Sequence, residues 1–385
     1  MESAKKLKVL QVVGAMNRAG TETMLMNIYR KIDHEKVHFD FVSYSNEEAD
    51  YDKEIEKLGG DIIRLQRSNS VLELYQVIKK HGPYDAIHAH TLFHCGISMV
   101  AAYLAGVKVR ISHAHTTLDN SEGVVRRLYL NVMRYFINRL STNYLACSKE
   151  AGRYLFGIGT LNKSKYSFFP NVVDYQRFIH RPTRNVNEFS LEQGIGKNDV
   201  VIGHIGRFIE AKNHKFLLQI LKNIVQEKVN IRLLLVGDGD LREDIETMVE
   251  TEGLKDVVHF AGLREDIPTM LHSMDVFVFP SIYEGLGLVL LEAQACGIPC
   301  IVSEAIQPEA DLNIGLISKL SLADNPNIWA NKILEKATYK ESDTKKIASG
   351  FERNGYSLNQ AVRKLMKMYK DDEADTNGKY VDRFV

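Results

Sequence analysis

Short apolar runs rich in β-branched residues alternate with longer segments in which apolar residues recur every three or four positions, up to residue 369. Runs of the first kind are typical of buried strands, and segments of the second kind are typical of amphipathic helices. Regular alternation of the two along a chain predicts parallel sheets built from β-α-β units. The pattern therefore predicts an α/β protein with doubly wound sheets.

The strand-like runs fall into two series. A polar stretch over residues 181–197, with Pro182 and no sustained period, separates them and is interpreted as a linker. The predicted strands of the first series are 9–13, 39–44, 62–65, 86–90, 109–112 and 144–147. Those of the second series are 200–205, 232–236, 257–260, 276–279 and 300–302.

A chain of 385 residues is longer than one hydrophobic core usually supports, so two domains are expected. We predict one domain over residues 1–176 and another over 177–355. Open α/β sheets bind ligands at the carboxyl ends of their strands, which predicts a ligand site in a cleft between the domains. The last periodic segment, Leu358–Tyr369, predicts a helix with one apolar stripe.

Charge and cysteine content exclude several function classes. Basic and acidic residues both number 49, so no general affinity for nucleic acid is expected. Residues 1–176 nevertheless carry 23 basic and 18 acidic side chains, so the positive excess lies in the first half. The four cysteines form no C-x-x-C pair, and neither a signal peptide nor an eighteen-residue apolar run occurs. A cytoplasmic protein without a membrane span is expected.

Two strand ends in the first half carry residues that can bind a ligand. Gly20 opens a predicted helix where N–H groups can meet a phosphate, although glycine there is also ordinary turn chemistry. The G-x-G-x-x-G pattern is absent, which argues against a nicotinamide enzyme. His88, His90, His113 and His115 gather at neighbouring strand ends, without a carboxylate or thiol at metal-ligand spacing. A substrate-orienting role for His113 and structural hydrogen bonding for at least two of the four are favoured over a zinc site.

Two cations follow the first strand of the second half. Arg207 and Lys212 lie five residues apart around a turn, so both can converge on one anion. A diphosphate suits this pair, because guanidinium binds it bidentately and ammonium adds a point charge. The alternative is a solvated basic pair.

The segment from Pro280 to Ala293 is the strongest functional signal. A glycine loop follows the buried strand 276–279 and leads into a helix, so loop amides and the helix dipole can hold a phosphate. Carboxylates accept paired hydrogen bonds from vicinal hydroxyls, which makes a hexose and a ribose suitable partners for Glu284 and Glu292 respectively. Glu292 lies within an apolar run, where an unpaired charge would be costly.

With these motifs the chain resembles the retaining GT-B glycosyltransferases of family four, in particular bacterial exopolysaccharide and capsule enzymes. The resemblance covers nearly the whole chain. It rests on the loop ending at Gly20, His113, Pro170-Asn171-Val172-Val173-Asp174, Arg207 with Lys212, and the glutamate pair Glu284 and Glu292. It implies two Rossmann-like domains facing across a cleft, with a C-terminal helix within 356–371 crossing back to the first domain.

The resemblance also implies a donor site. Gly20 would contact the donor phosphate, His113 the donor sugar, Arg207 and Lys212 the diphosphate, Glu284 the transferred sugar and Glu292 the ribose. His113, Glu284, Arg207 and Lys212 form the expected catalytic set, and the loop residues Gly285, Leu286, Gly287 and Leu288 complete the donor-binding set. Because the family needs no divalent metal, neither a metal site nor a cofactor is expected. Ala19, Val172 and residues 304–308 depart from the family pattern, which affects mainly the acceptor side.

The predicted function is transfer of a glycosyl unit from a nucleotide sugar, in particular a UDP-sugar, to a saccharide or lipid-linked acceptor, with retention at the anomeric carbon. An epimerase on the same fold would isomerise or hydrolyse the donor without an acceptor. A non-catalytic sugar-nucleotide-binding component of an assembly complex would bind the donor and release nothing. The intact Arg207, Lys212, Glu284 and Glu292 argue against that last alternative.

Residues 126–140 predict a basic amphipathic helix, because Arg126, Arg127, Arg134 and Arg139 alternate with large apolar residues. Such helices can lie on anionic membranes. The alternative is a core helix with solvated arginines. Peripheral binding of the first domain to an anionic membrane surface is therefore a further expectation.

Overall fold

The computed structural model describes residues 6–116, 123–226, 230–284 and 286–370, and these form two compact units. The first unit contains the described residues up to Val172 together with those from Leu358 onward. The second unit contains Val173–Ser357. The boundary expected from the sequence stood between residues 176 and 177.

The first unit is built on a parallel sheet in which seven strands are described, in the order β3-β2-β1-β4-β5-β6-β7. The apolar side chains of β4 and β5, and those of β1 from Val9 onward, are buried, so helices cover both faces of the sheet's centre. The strands are β1 (Leu7–Val12), β2 (Val37–Ser43), β3 (Asp61–Arg64), β4 (Ala86–Ala89), β5 (Val109–Ala114), β6 (Asn143–Ala146) and β7 (Tyr166–Phe168).

Helices follow these strands as the apolar periodicity predicts. Helix α3 begins at a serine N-cap, since the Ser70 hydroxyl accepts from the backbone N–H of Glu73. The helices are α1 (Gly20–Lys31), α2 (Asp52–Lys57), α3 (Val71–His81), α4 (Cys95–Ala105), α5 (Val124–Leu140), α6 (Lys149–Phe156) and α7 (Ile158–Leu161).

The second unit repeats this architecture on a parallel sheet of six described strands, ordered β10-β9-β8-β11-β12-β13. They are β8 (Val200–Ile205), β9 (Ile231–Val236), β10 (Val258–Gly262), β11 (Val276–Phe279), β12 (Cys300–Ser303) and β13 (Ile317–Leu320). Its helices are α8 (Gln176–Ile179), α9 (Thr183–Glu192), α10 (His214–Gln226), α11 (Arg242–Thr251), α12 (Ile267–His272), α13 (Leu288–Ala295), α14 (Pro326–Lys336) and α15 (Thr344–Arg353).

The last helix, α16 (Leu358–Tyr369), belongs to the first unit although the chain reaches it through the second. It packs against α1, and Leu358, Ala361, Leu365 and Tyr369 are buried in the core beneath β1 and β2. The stripe predicted from the sequence is the buried face of this helix.

Two parts of the sequence interpretation were incomplete or wrong. The predicted linker over residues 181–197 contains helix α9, whose Val186 and Phe189 are buried in the second unit. Strands β7 and β13 were not predicted, because polar residues interrupt the apolar positions in each, Ser167 in β7 and Ser318-Lys319 in β13. No helix among the described residues has the length and apolar character needed to cross a membrane.

Candidate functional site

The loop that carries Arg207 is fixed by close backbone contact with a neighbouring loop. Strand β8 ends at Ile205, and the exposed Arg207 follows between Gly206 and the buried Phe208. Gly237, after β9, has φ +133°, and a Cβ there would lie 2.1 Å from the carbonyl oxygen of Gly206. Gly239 has φ +153°, and its Cβ would lie 2.8 Å from the Phe208 backbone. Both positions therefore require glycine. The close backbone contact that they allow fixes the two residues on either side of Arg207.

Lys212 is held by a tight turn between β8 and α10. The turn spans Glu210–Lys212 and ends at Asn213, which adopts the left-handed conformation with φ 56°. The Asn213 side chain donates to the carbonyl of Pro280 at 3.1 Å, and the Ile282 N–H donates to the carbonyl of Ala211 at 2.8 Å. The loops after β8 and β11 are therefore joined.

This junction brings Lys212 and Glu284 together. The Lys212 Nζ donates to Glu284 Oε2, and it also lies 4.5 Å from the centroid of the Phe279 ring. Their side chains are only 15% and 17% exposed, so the pair is shielded from water on most sides. An ammonium and a carboxylate therefore lie side by side beyond the carboxyl end of β11, and the diphosphate and sugar contacts predicted for them stay predictions.

The loop between Glu284 and α13 depends on glycine at its last position. Gly287 has φ +71° at the N-cap of α13, and a Cβ there would lie 3.3 Å from Glu284 Cγ. The Leu286 side chain is buried in the core of the unit and that of Leu288 packs against it, which leaves their backbone N–H groups as the groups able to meet a donor. The predicted donor residue Gly285 lies outside the described residues.

Glu292 lies one helical turn after Leu288 in α13. Burial raises the pKa of its carboxyl to about 7, and the charge of Arg177 on the adjacent α8 acts in the opposite direction. Near neutral pH the side chain therefore exists as a mixture of the carboxylate and the neutral acid. Sequence reasoning did not identify Arg177 as a neighbour of this glutamate, because the two are 115 positions apart.

Two buried histidines, His204 and His214, pack beside the loop that carries Arg207 and Lys212. The His204 Nδ1 donates to the carbonyl of Val278 at 2.9 Å, and the ring of His214 stacks on Phe208 at 4.2 Å between centroids. Burial lowers the pKa of both rings, that of His214 to about 4. Both are therefore neutral and add no charge beside Lys212.

In the first unit, Gly20 is the first residue of α1, as predicted. The residue before it, Ala19, provides no side-chain cap, so the N–H groups of the first turn have no hydroxyl or carboxylate cap at that position. Gly20 is exposed, and its loop is fixed by the Arg18 N–H, which donates to Asp50 Oδ2 at 2.8 Å. This geometry allows the predicted contact between the Gly20 amide and a phosphate.

The four histidines at the ends of β4 and β5, His88, His90, His113 and His115, form one hydrogen-bonded network. His113 Nε2 lies 3.2 Å from the Phe169 carbonyl, and its Nδ1 lies 3.2 Å from His88 Nε2. His113 has no exposed surface, and both of its ring nitrogens are engaged within the unit. A side chain placed in this way offers no surface to a sugar in this conformation, and the contact predicted for His113 stays a prediction.

The outer half of the network is formed by His90 and His115. His90 Nδ1 lies 2.9 Å from His115 Nε2, and its Nε2 lies 3.0 Å from Gln11 Oε1. As residues, His90 and His115 keep some exposed surface, whereas His88 and His113 are buried. His88, His90 and His113 are close enough to share a metal ion, but their hydrogen bonds already engage the nitrogens that such an ion would need.

Comparison with known proteins gives consistent results for both halves. Residues 18–177 match the model described as Glycosyltransferase Family 4, and residues 185–346 match the model described as Glycosyl transferases group 1. A putative glycosyltransferase EpsF of Bacillus subtilis (strain 168) is 38% identical over 385 residues, which covers 98% of this chain and 100% of the relative.

Two further similarities are more distant. The Escherichia coli UDP-Gal:alpha-D-GlcNAc-diphosphoundecaprenol alpha-1,3-galactosyltransferase is 29% identical over 250 residues, 63% of each chain. The crystal structure of Anabaena HepE in complex with UDP and glucose matches with a TM-score of 0.73 at 19% identity, over 94% of this chain and 98% of that one. At that identity the structural match establishes the GT-B fold alone.

Proposed function

The chain belongs to the group 1, family 4 glycosyltransferases, and from this premise we propose that it transfers a sugar from a UDP-sugar to a saccharide acceptor with retention at the anomeric carbon. The acceptor we propose is a lipid-linked or polysaccharide intermediate of the exopolysaccharide or capsule type. The Escherichia coli relative is named for a UDP-Gal donor and a diphosphoundecaprenol-linked acceptor, which supports both assignments.

The contact between Lys212 and Glu284 is the observation that carries the proposal. In the reaction the acceptor hydroxyl attacks the anomeric carbon, and the bond from that carbon to the diphosphate oxygen breaks. The site must therefore hold a sugar and a departing diphosphate at adjacent positions. Lys212 provides positive charge for the diphosphate, while Glu284 beside it accepts hydrogen bonds from sugar hydroxyls.

Further groups of the second unit complete the proposed donor site. Arg207 adds a second cation on the same loop as Lys212, and the N–H groups at the start of α13 add partial positive charge. Glu292 receives the ribose hydroxyls. Because these groups can neutralise the leaving diphosphate, we propose that the reaction needs no divalent metal and no cofactor.

Helix α5 supports the proposed lipid-linked acceptor. Its outward face carries exposed apolar side chains, flanked by the exposed Arg127 and Arg139. Such a face suits an anionic membrane, so we place the reaction at the cytoplasmic membrane surface. The exposed apolar residues are Val124, Val125, Leu128, Val132 and Tyr135.

One assay tests the reaction class. The protein is incubated with a panel of nucleotide sugars, with and without a lipid-linked saccharide, and nucleoside diphosphate release is measured in the presence and absence of EDTA. We expect release that requires the acceptor, survives EDTA and gives a product with the donor's anomeric configuration. Donor isomerised without acceptor would indicate an epimerase, and tight binding without release would indicate a non-catalytic component. Turnover lost in EDTA and restored by manganese would overturn metal independence.

A further inference from the structure

The histidine network of the first unit includes a residue of α16, the last helix in the described part of the chain. Tyr369 of α16 is fully buried, and its hydroxyl lies 2.8 Å from His88 Nδ1 and 3.1 Å from Gln11 Nε2. Gln11 lies on β1, directly opposite His88 on β4 in the sheet register. Tyr369 and Gln11 thus join the inner histidines, His88 and His113, to the outer ones, His90 and His115.

The histidines of this network are neutral. Burial lowers the pKa of His88, His90 and His113 well below the usual value, and the neighbouring imidazoles lower it further. Burial lowers the pKa of His115 to about 4. A neutral imidazole has one N–H donor and one lone-pair acceptor, so each ring can donate on only one side.

A carbonyl at the inner end fixes the direction of every hydrogen bond in this part of the network. The Phe169 carbonyl can only accept, so His113 donates to it from Nε2 and accepts at Nδ1. His88 must then donate from Nε2 and accept at Nδ1. The hydroxyl of Tyr369 is the donor available to that Nδ1, so its oxygen is left as the acceptor for the Gln11 amide.

The orientation of the Gln11 amide in turn fixes which ring nitrogens of His90 and His115 donate and which accept. Its NH2 group faces Tyr369, so its oxygen faces His90 and accepts from Nε2. His90 Nδ1 is then an acceptor, and His115 must donate to it from Nε2. The lone pair of His115 is consequently on Nδ1, which faces the side-chain amide of Asn171. The amide oxygen lies 3.2 Å from Nδ1. Rotation of the amide exchanges the positions of its oxygen and its nitrogen.

We propose that Tyr369 and Gln11 are positioning residues that hold the imidazole of His115 in one neutral tautomer, with its proton on Nε2 and its lone pair on Nδ1. Helix α16 thereby determines which group is presented at the end of β5, namely an acceptor for a hydroxyl or amide proton. Asn171, whose Pro-Asn motif received no chemical role from the sequence, shares that end of the network.

Nuclear magnetic resonance of the full-length chain with ¹⁵N-labelled histidine tests this directly, because correlations between ring nitrogens and carbon-bound protons distinguish the two tautomers. His90→Gln and His115→Gln assign the relevant signals by their loss. We expect all four network histidines to carry the proton on Nε2. A proton on Nδ1 of His115 in the wild-type protein would overturn the proposal.

Two variants test the positioning role. Tyr369→Phe removes the hydroxyl that orients Gln11, so its amide can rotate, and His90 and His115 should become mixtures of both tautomers. Gln11→Met should produce the same mixture at His90 and His115 while His88 and His113, still bonded to Tyr369, keep Nε2–H. This second variant also serves if Tyr369→Phe does not fold, as judged from the backbone amide spectrum.

The matched control is Tyr144→Phe, which removes another buried hydroxyl of the same unit, one that donates to the Asn138 carbonyl at 2.7 Å outside the network. It should leave all four tautomers unchanged. A single Nε2–H tautomer retained at His90 and His115 in folded Tyr369→Phe or Gln11→Met would contradict the proposal. The readout needs no substrate, so its outcome is independent of the donor and acceptor proposed above.

Discussion

Lys212 donates to Glu284 in the structure, so a diphosphate that binds Lys212 shares the ammonium with that carboxylate. The arrangement favours a ligand that satisfies both charges at once. A nucleotide sugar does so, because its phosphates meet the cation while its hydroxyls donate to the carboxylate. A bare phosphate would satisfy Lys212 and leave Glu284 close to a like charge.

Replacing either cation should weaken nucleotide binding. Loss of a charge-assisted hydrogen bond costs about 1.5–3 kcal/mol, so Arg207→Ala and Lys212→Ala should each raise the Kd for UDP roughly ten- to hundredfold. Titration calorimetry measures this. Lys215→Ala is the control, because Lys215 is exposed three residues further on and should leave the affinity unchanged. Unchanged affinity in both test variants would show that the diphosphate binds elsewhere.

Glu292 should make donor binding depend on pH. Its pKa of about 7 means that it is largely protonated at pH 6 and ionised at pH 8. The ionised form accepts both ribose hydroxyls, so affinity should fall about tenfold as the pH falls from 8 to 6. A UDP-sugar is the appropriate ligand, since its phosphates lack the second ionisation near pH 6 that a terminal phosphate has. Glu292→Gln should bind more weakly and without this pH dependence, and an unaltered pH profile in that variant would refute the assignment.

The sequence predicted that four histidines lie close together, but it did not predict which of them is accessible. The strand alternation placed His88, His90, His113 and His115 at neighbouring strand ends, and the structure does bring them together. Which of them is accessible depends on where each strand ends relative to the helices that cover it. That property follows from packing across the whole unit, so His113 was selected from a strand pattern that does not distinguish it from His115.

At the scale of elements, the apolar patterns predicted the buried central strands and missed two edge strands and one helix. Central strands such as β8 and β11 have the predicted bounds, because a fully buried strand is apolar at nearly every position. The edge strands β7 and β13 have polar residues among their few apolar ones and lack that signal, whereas the edge strand β3 has the adjacent pair Ile62 and Ile63 and was predicted. Helix α9 was interpreted as a linker, since its few buried residues stand among Asn and Glu residues.

Helix α5 has both the predicted basic character and a structural attachment that the sequence did not show. Arg134 donates to the carbonyls of Leu155 and Tyr154, so it fixes α5 to α6 instead of facing outward. Gly96 of α4 allows close packing on Met133, because a Cβ there would lie 2.9 Å from the sulfur. These contacts hold α5 with its apolar stripe exposed.

A membrane role for α5 predicts a difference between two equally exposed leucines. Leu128 of α5 and Leu72 of α3 are both 65% exposed, yet only Leu128 belongs to the stripe. Leu128→Ser should weaken co-sedimentation with anionic vesicles, and Leu72→Ser should not, because burying a leucine contributes about 1.5–3 kcal/mol. Replacing Arg127 and Arg139 by Gln should also weaken binding, as should high salt. Absence of binding at low salt, or equal effects of the two leucine variants, would reject the membrane surface.

At the scale of the whole molecule, the core of the first unit includes α16, which follows the second unit along the chain. The buried face of α16 fills the core beneath β1 and β2, and the network through Tyr369 reaches β4 and β5. The first unit therefore depends on residues made after the second unit, and a fragment that ends at residue 357 lacks part of the core on which His115 rests. The periodicity of Leu358–Tyr369 predicted the helix, but the unit it joins was implied by family resemblance and not by the pattern itself.

A single core substitution in α16 should therefore destabilise the first unit selectively. Leu365 is fully buried there, and its replacement by alanine should lower the free energy of unfolding by about 2–5 kcal/mol through lost burial and the cavity left behind. Hydrogen exchange followed by mass spectrometry should show faster exchange in β1, β4 and β5 and unchanged exchange in β8, β9 and β11, since the cores of the two units are separate clusters. Gln360→Ala, on the exposed side of the same helix, controls for changes in helix propensity and should leave both sheets unaffected. Faster exchange in the second sheet, or none in the first, would mean that α16 stabilises the chain in some other way than by completing the core of the first unit.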